Sequence, residues 1–159
     1  MIKKLVSQGL VQHAPYGAIT LTDAGRAEAL RMVRRHRLVE TWLVEGFGYT
    51  WDEVHDEAEV LEHALSDRLL TAIDAQLGHP TRDPHGDPIP DVDGVVRRPD
   101  AVLASELEPG VRGRVARISD RDPEVLRRLR EESIGLDTVV EVGELPEGAA
   151  EAVWVEVIR

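Results

Sequence analysis

The sequence predicts an α+β protein, and three features of its 159 residues lead to that class. Helical periodicity runs through residue 78, a Pro- and Gly-dense stretch follows over residues 79–100, and the period then changes to short β-prone runs around one helix. The length suits one domain or two small ones. A hydrophobic content of 42% supplies a core, and a net charge of −11 is too small per residue to read as disorder.

Each element has a local reason. Ile2 and Leu5 stand at helical spacing and Gly9 ends a first helix. Residues 10–13 and 18–21 are β-prone and flank Ala14-Pro15-Tyr16-Gly17, which reads as a hairpin turn. Thr22 caps a long helix from about residue 23 to 45, with Ala27, Leu30, Val33, Leu38, Trp42 and Leu43 mostly on one face and Gly46 and Gly48 at its end. Thr50-Trp51-Asp52-Glu53 has capping-box form and predicts a second long helix to about Leu77, where Gly78 stops it. Along it Leu61, Leu65, Leu69, Ile73 and Leu77 recur every four residues, a stripe that must be buried against another helix or a second copy. Pro80, Pro84, Gly86, Pro88, Pro90, Gly94 and Pro99 exclude regular structure from residues 79–100 and mark a linker between domains. Residues 111–118, 138–144 and 150–158 read as strands, and Asp122 caps a helix over residues 123–131 with Pro123 at its first position. So short a unit with several strands and one helix predicts a small, partly open barrel.

Several function classes fall away. Zero cysteines exclude a disulfide scaffold, a thiolate metal site and a cysteine nucleophile. No apolar run approaches a membrane span, and the first eleven residues are too short and too charged for a secretory signal, so the expected location is the cytoplasm. The sequence holds no G-x-x-x-x-G-K-[ST] loop, no G-x-S-x-G elbow and no H-E-x-x-H pair, and it offers no visible nucleophile. An enzyme is not expected. Charge is uneven: residues 1–40 carry +4 and the rest −15, which gives an acidic chain a basic front.

The chemistry concentrates between residues 36 and 63. His36 and Glu40 are four apart on the first long helix, while His55, Glu59, Glu62 and His63 share a face of the next. Imidazole and carboxylate groups on two packed helices can enclose one or two divalent cations. A donor set of nitrogen and oxygen alone favours Mn²⁺ or Fe²⁺, with Zn²⁺ or Co²⁺ able to substitute in vitro.

MIKKLVSQGLV from residue 1, ITLTDAG from residue 19, RHRLVE from residue 35, HDEAEVLEH from residue 55 and GDPIP from residue 86 together resemble the diphtheria toxin repressor family of metal-dependent transcriptional regulators. LEPG from residue 107 and DPEVLRRL from residue 122 are similar to the family's SH3-like, FeoA-like appended domain. The resemblance implies the remnant of a winged helix-turn-helix over residues 1–22, a helical metal-binding and dimerisation domain over 23–78, the linker over 79–100, and a small SH3-like β-barrel over 101–159. It implies an ancillary metal site at His36, Glu40 and His55 and a primary site at Glu59, Glu62 and His63. Glu59 stands where iron-type members have cysteine, which is similar to the manganese-responsive branch. Asp122 matches a third metal contact, and Val125 stands at a neighbouring ligand position that it cannot serve.

Family members begin with a longer stretch that holds further helices and most of the recognition helix. The expectation is therefore a Mn(II)-responsive repressor, with Fe(II) as the alternative ion, that is shortened or read from a late start. It should form a homodimer and touch DNA weakly through Lys3, Lys4 and Tyr16 of the wing. The competing expectation is a shortened paralogue that binds metal and dimerises without specific DNA binding.

Overall fold

The computed structural model describes residues 2–14 and 17–158. Helix α1 (Ile2–Ser7) ends before Gly9, whose φ of 70° is left-handed. Strand β1 (Val11–His13) then pairs antiparallel with β2 (Ile19–Leu21), Val11 facing Leu21. Thr22 caps α2 (Asp23–Phe47): its hydroxyl oxygen accepts from the Gly25 N–H at 3.0 Å. A Cβ on Gly25 would lie 1.8 Å from the Leu10 carbonyl oxygen, so helix and hairpin meet backbone to backbone. Gly48, at φ 72°, closes α2, and its N–H returns to the Leu43 carbonyl; Gly46 lies inside the helix.

The second long helix of the sequence reading is two helices. These are α3 (Val54–Ala64) and α4 (Asp67–Gln76), separated by an extended Leu65 with ψ 137°. Ser66 supplies the break, since its hydroxyl accepts from the Leu69 N–H at 3.3 Å and caps α4. The capping box at Thr50 does not form either. Thr50 Oγ1 donates to Glu53 Oε2 at 2.6 Å, which satisfies the two side chains with each other and starts α3 at Val54. Val39 and Leu43 of α2 pack on Val54 and Ala58 of α3, with Leu61, Leu65 and Leu70 around them. Leu69, on the expected stripe, is exposed.

Residues 79–100 contain no helix and only one isolated bridge, Arg82 to Pro88, as Pro and Gly require. They are nonetheless packed. Asp83, His85, Ile89 and Pro90 are buried, and the His85 carbonyl accepts from the Ile118 N–H at 2.8 Å. At Gly86, φ 85°, a Cβ would stand 2.2 Å from the Ala116 carbonyl oxygen. This strap therefore lies flat between the helices and the sheet that follows.

The sheet takes the order β3–β6–β4–β5, all antiparallel, from β3 (Val102–Leu103), β4 (Arg112–Ile118), β5 (Val139–Glu141) and β6 (Val153–Val157). Strands β3 and β5 are left at its edges, so it curls as an open sheet and does not close as a barrel. The register shifts by one residue between Val115 and Arg117, which marks a bulge at Ala116. Helix α5 (Pro123–Glu131) covers one face with Val125, Leu126 and Leu129, against Val115, Ile118, Val153 and Val155. Trp51, from the turn between α2 and α3, packs on the same core, and Asp52 pairs with Arg130 of α5 at 2.8 Å. Among the described residues no helix is long and apolar enough to cross a membrane.

Candidate metal centre

Helix α2 presents His36 and Glu40 one turn apart, and α3 packs beside it with His55, Glu59 and Glu62 turned the same way. His36 lies between three partners. Its Nδ1 is 2.6 Å from Glu62 Oε2, and its Nε2 is 3.0 Å from Glu40 Oε1 and 3.2 Å from His55 Nδ1. His55 Nδ1 also reaches Glu40 Oε1 at 3.3 Å. Donor atoms of His36, Glu40 and His55 all lie within 4.8 Å of one another.

Glu40 belongs to a second group as well. Donor atoms of Glu40, Asp83 and His85 lie within the same 4.8 Å, and these three residues are 2%, 4% and 1% exposed. The strap therefore brings two further potential ligands to the helical pair. His85 is held from outside: its Nε2 is 2.7 Å from the Trp51 carbonyl oxygen, and its ring stacks on the Trp51 indole. Asp83 Oδ1 accepts from the N–H groups of His85 and Asp87, each at 2.9 Å.

Electrostatics follows from this crowding. Burial pulls the His36 imidazolium down, but the hydrogen bonds and charges of Glu40 and Glu62 outweigh it and raise the group to about 9. Burial pushes Glu40 up, and bonding to His36 with the charges of His36 and His85 brings it below the ordinary carboxylate value. Asp83 is pushed up to about 6 by burial and then by the neighbouring Glu40 and Asp87. In the metal-free protein a proton on His36 thus stands in for a cation among carboxylates. The residues fit a divalent metal: the donors are imidazole and carboxylate around a cavity of about 360 Å³, with Glu40 and Asp83 buried, His36 and Glu62 half-buried, and His55, Glu59 and Asp120 open to water.

The remaining expected residues divide. Glu59 lines the cavity beside Glu62. His63 is turned outward, 71% exposed at its side chain, with Nε2 3.4 Å from Glu62 Oε1. Asp122 is engaged elsewhere, because its carboxylate accepts the Glu124 N–H at 2.9 Å and caps α5. Asp120, two residues earlier, lines the cavity in its stead. Val125 is buried in the sheet core. Lys3 and Lys4 are exposed on α1, and Tyr16 lies outside the described residues. The sequence reading missed Asp83, His85 and Asp120, since loop residues carry no periodicity to put them in phase with a helix face.

Comparison with known proteins follows the same division of the chain. A family model described as "Iron dependent repressor, metal binding and dimerisation domain" matches residues 22–91, and one described as "FeoA domain" matches residues 102–157. An iron-dependent repressor IdeR of Mycobacterium leprae is 36% identical over 104 residues, covering 65% of this chain and 45% of that protein. A diphtheria toxin repressor of Corynebacterium efficiens is 37% identical over 89 residues, covering 56% of this chain and 39% of that protein. The chain thus spans less than half the length of these two relatives. Among solved structures, a manganese-dependent transcriptional repressor in complex with manganese superposes with a TM-score of 0.86 at 50% identity, covering 99% of this chain and 82% of that one.

Proposed function

Because the chain belongs to the diphtheria toxin repressor family of metal-dependent transcriptional regulators, we propose that it is the metal-sensing and dimer-forming body of a Mn(II)-responsive repressor acting in the cytoplasm. One observation carries the reading: buried Glu40 is shared by two His/carboxylate groups, His36 with His55 and Asp83 with His85. A carboxylate in that position can serve two cations or one cation with either set. Oxygen and nitrogen donors without sulfur support Mn²⁺ over softer ions, and Fe²⁺ is the nearest competitor. Asp120 supports a further contact from the loop after β4. Glu59, Glu62 and His63 are offered for a second position on α3, which needs His63 to turn inward.

A bound ion would supply fixed positive charge to donors drawn from α2, α3, the strap and the loop after β4. Each of these residues has its own part. Glu40 and Asp83 would offer carboxylate oxygens, His36 would offer a ring nitrogen once its extra proton is gone, Arg37 stays paired to the back of Asp83, and His85 is oriented by the Trp51 carbonyl. Operator DNA and a second copy of the chain are the partners proposed.

Calorimetric titration tests the reading. Mn²⁺ should bind and raise the melting temperature through preferential affinity for the folded state. Glu40→Gln should abolish most of that rise, and Glu62→Gln should reduce it. A Mn²⁺ response that survives both substitutions unchanged would place the metal elsewhere.

A further inference from the structure

A cavity of about 510 Å³ adjoins the candidate metal centre, sharing Val33, Arg37 and Asp87 with it, but none of the His donors, Glu40, Glu59, Glu62 or Asp83 lines it. Its apolar lining includes Leu30 and Val33 of α2, Pro88, Pro99 and Trp154 of β6. Around this apolar bed stand three guanidinium groups, Arg37, Arg98 and Arg117, against one wall carboxylate, Asp87. In a chain of net charge −11, that concentration of positive charge is out of keeping with the surface at large.

The hydrogen bonding of these arginines shows which donors are free. Arg37 is used up: its Nε faces Asp83 Oδ2 at 3.4 Å, its Nη1 donates to the Pro88 carbonyl, and its Nη2 is 3.2 Å from Asp87 Oδ1. Arg117 spends only Nε, 3.0 Å from the same Asp87 oxygen. Its guanidinium lies over the Trp154 ring, 4.1 Å from the centroid, because the two residues are cross-strand partners. Both Nη groups of Arg117, and the whole of Arg98, have no hydrogen-bond or ion-pair partner among the described residues. A planar fork of unpaired donors over an aromatic face, beside an aliphatic bed, is the recognition pattern for a carboxylate or phosphate carried on an apolar body. The volume lies within the range of small-molecule pockets.

We propose that this cavity binds a small organic anion, its charged head on Arg98 and Arg117 and its apolar body between Trp154, Pro99, Leu30 and Val33. The site also communicates with the metal centre. Arg37 and Asp87 line both cavities, and Asp87 Oδ1 is the single oxygen that Arg37 and Arg117 share. An anion that draws Arg117 away from Asp87 changes the charge facing Asp83 and Glu40. Ligand and metal are then linked, and each must alter the affinity of the other by the same factor. This second statement rests on the metal reading above, whereas the first does not.

The test separates them by starting with metal-free protein, dialysed against chelator. Three probes are titrated while tryptophan fluorescence and heat are followed: 1-naphthoate, the uncharged 1-naphthamide of the same shape, and inorganic phosphate. The expected result is that 1-naphthoate binds at least about tenfold more tightly than either comparison. Arg98→Ala should lose about tenfold in naphthoate affinity with an unchanged melting temperature, since the side chain is exposed and unbonded. Arg117→Lys should weaken binding while keeping the charge, because the planar fork is lost. Equal binding of naphthoate and naphthamide, no binding of naphthoate, or full affinity in Arg98→Ala would each overturn the site. Repeating the naphthoate titration at saturating Mn²⁺ reads the linkage: a shifted affinity supports it, and an unchanged affinity in a chain that does bind Mn²⁺ removes the linkage and leaves the anion site standing.

Discussion

His36 is where the molecule's electrostatics is most exposed to experiment. Its folded pKa of about 9 lies above the ordinary 6.5, so the ion cluster with Glu40 and Glu62 contributes its full stability below pH 6.5 and loses it as pH rises through 9. Asp83, raised to about 6, completes its own loss below that window. The melting temperature of metal-free protein should therefore fall between pH 6.5 and 9, and His36→Gln should flatten the fall. Metal binding has the opposite sign. Since a cation must displace the His36 proton, the rise in melting temperature given by Mn²⁺ should grow over the same interval. Scanning calorimetry in buffers from pH 6 to 9, with and without Mn²⁺, checks both. At this scale the sequence was legible where potential donors repeat on a helix: His36 and Glu40 stand side by side as their spacing implied, and His55 of α3 joins them as the family resemblance implied. Asp83 and His85 were not legible, because a Pro- and Gly-rich stretch reads as solvated chain and its burial depends on what packs over it. Asp122 shows a further limit, in that cap and ligand ask for the same residue type, and here the cap geometry took it.

Among the elements, the strap carries the most consequence. Gly86 passes so close to the bulged Ala116 that no side chain fits, and its φ of 85° disfavours one regardless of space. Gly86→Ala should cost about 2 kcal/mol or more in chemical denaturation, through both strain and displaced backbone. It should also weaken Mn²⁺ binding, since Asp83 and His85 flank the site of the clash. A Gly94→Ala control shares the strain, at φ 79°, but meets only the Leu30 side chain, at 3.4 Å, and no backbone; it should cost less and leave Mn²⁺ binding unchanged. The division of α3 from α4 belongs to this scale too. The four-residue leucine repeat continued through Leu65, and periodicity alone could not reveal that Ser66-Asp67 ends one helix and caps another. The strands at residues 112–118, 139–141 and 153–157 were foreseen from their β-branched runs. The two-residue β3 was not, being too short to hold any pattern.

The whole molecule is acidic with apolar side chains left on its helical side. Val60 of α3 and Leu69 of α4 are 68% and 42% exposed. Those faces suit a second copy of the chain. Light scattering should give twice the 17.6 kDa chain mass at micromolar concentration, and Leu69→Asp should return the monomer. DNA contact should be confined to phosphate. Lys3 and Lys4 are exposed on α1, so duplex binding should be weak, indifferent to sequence and steeply salt-dependent. Replacing both with Ala should lower affinity for every duplex alike and reduce the salt slope by about 2 in a gel-shift series. A clear preference for a palindromic duplex that persisted at physiological salt would contradict this. The fold class and the division into helical and sheet halves were readable at this scale from the change of hydrophobic period. How the halves join through Trp51, Asp52 and the strap was hidden, because such contacts leave no repeat in the sequence.

Helix α2 makes one object of two ends that chemistry treats separately. Near its start Gly25 rests on the Leu10 carbonyl of the hairpin, and fifteen residues on Glu40 sits among the donors of the candidate metal centre. At 1.5 Å per residue the two points are about 22 Å apart on an unbroken rod. The rod has no glycine or proline between them to absorb a bend. It is a lever with its short arm among the carboxylates. A tilt of roughly 5° about Glu40 carries the hairpin about 2 Å sideways by that geometry. Any ångström-scale adjustment of the helix about Glu40 would therefore be magnified, without any loop having to refold, into the position of the two strands at the chain's basic front.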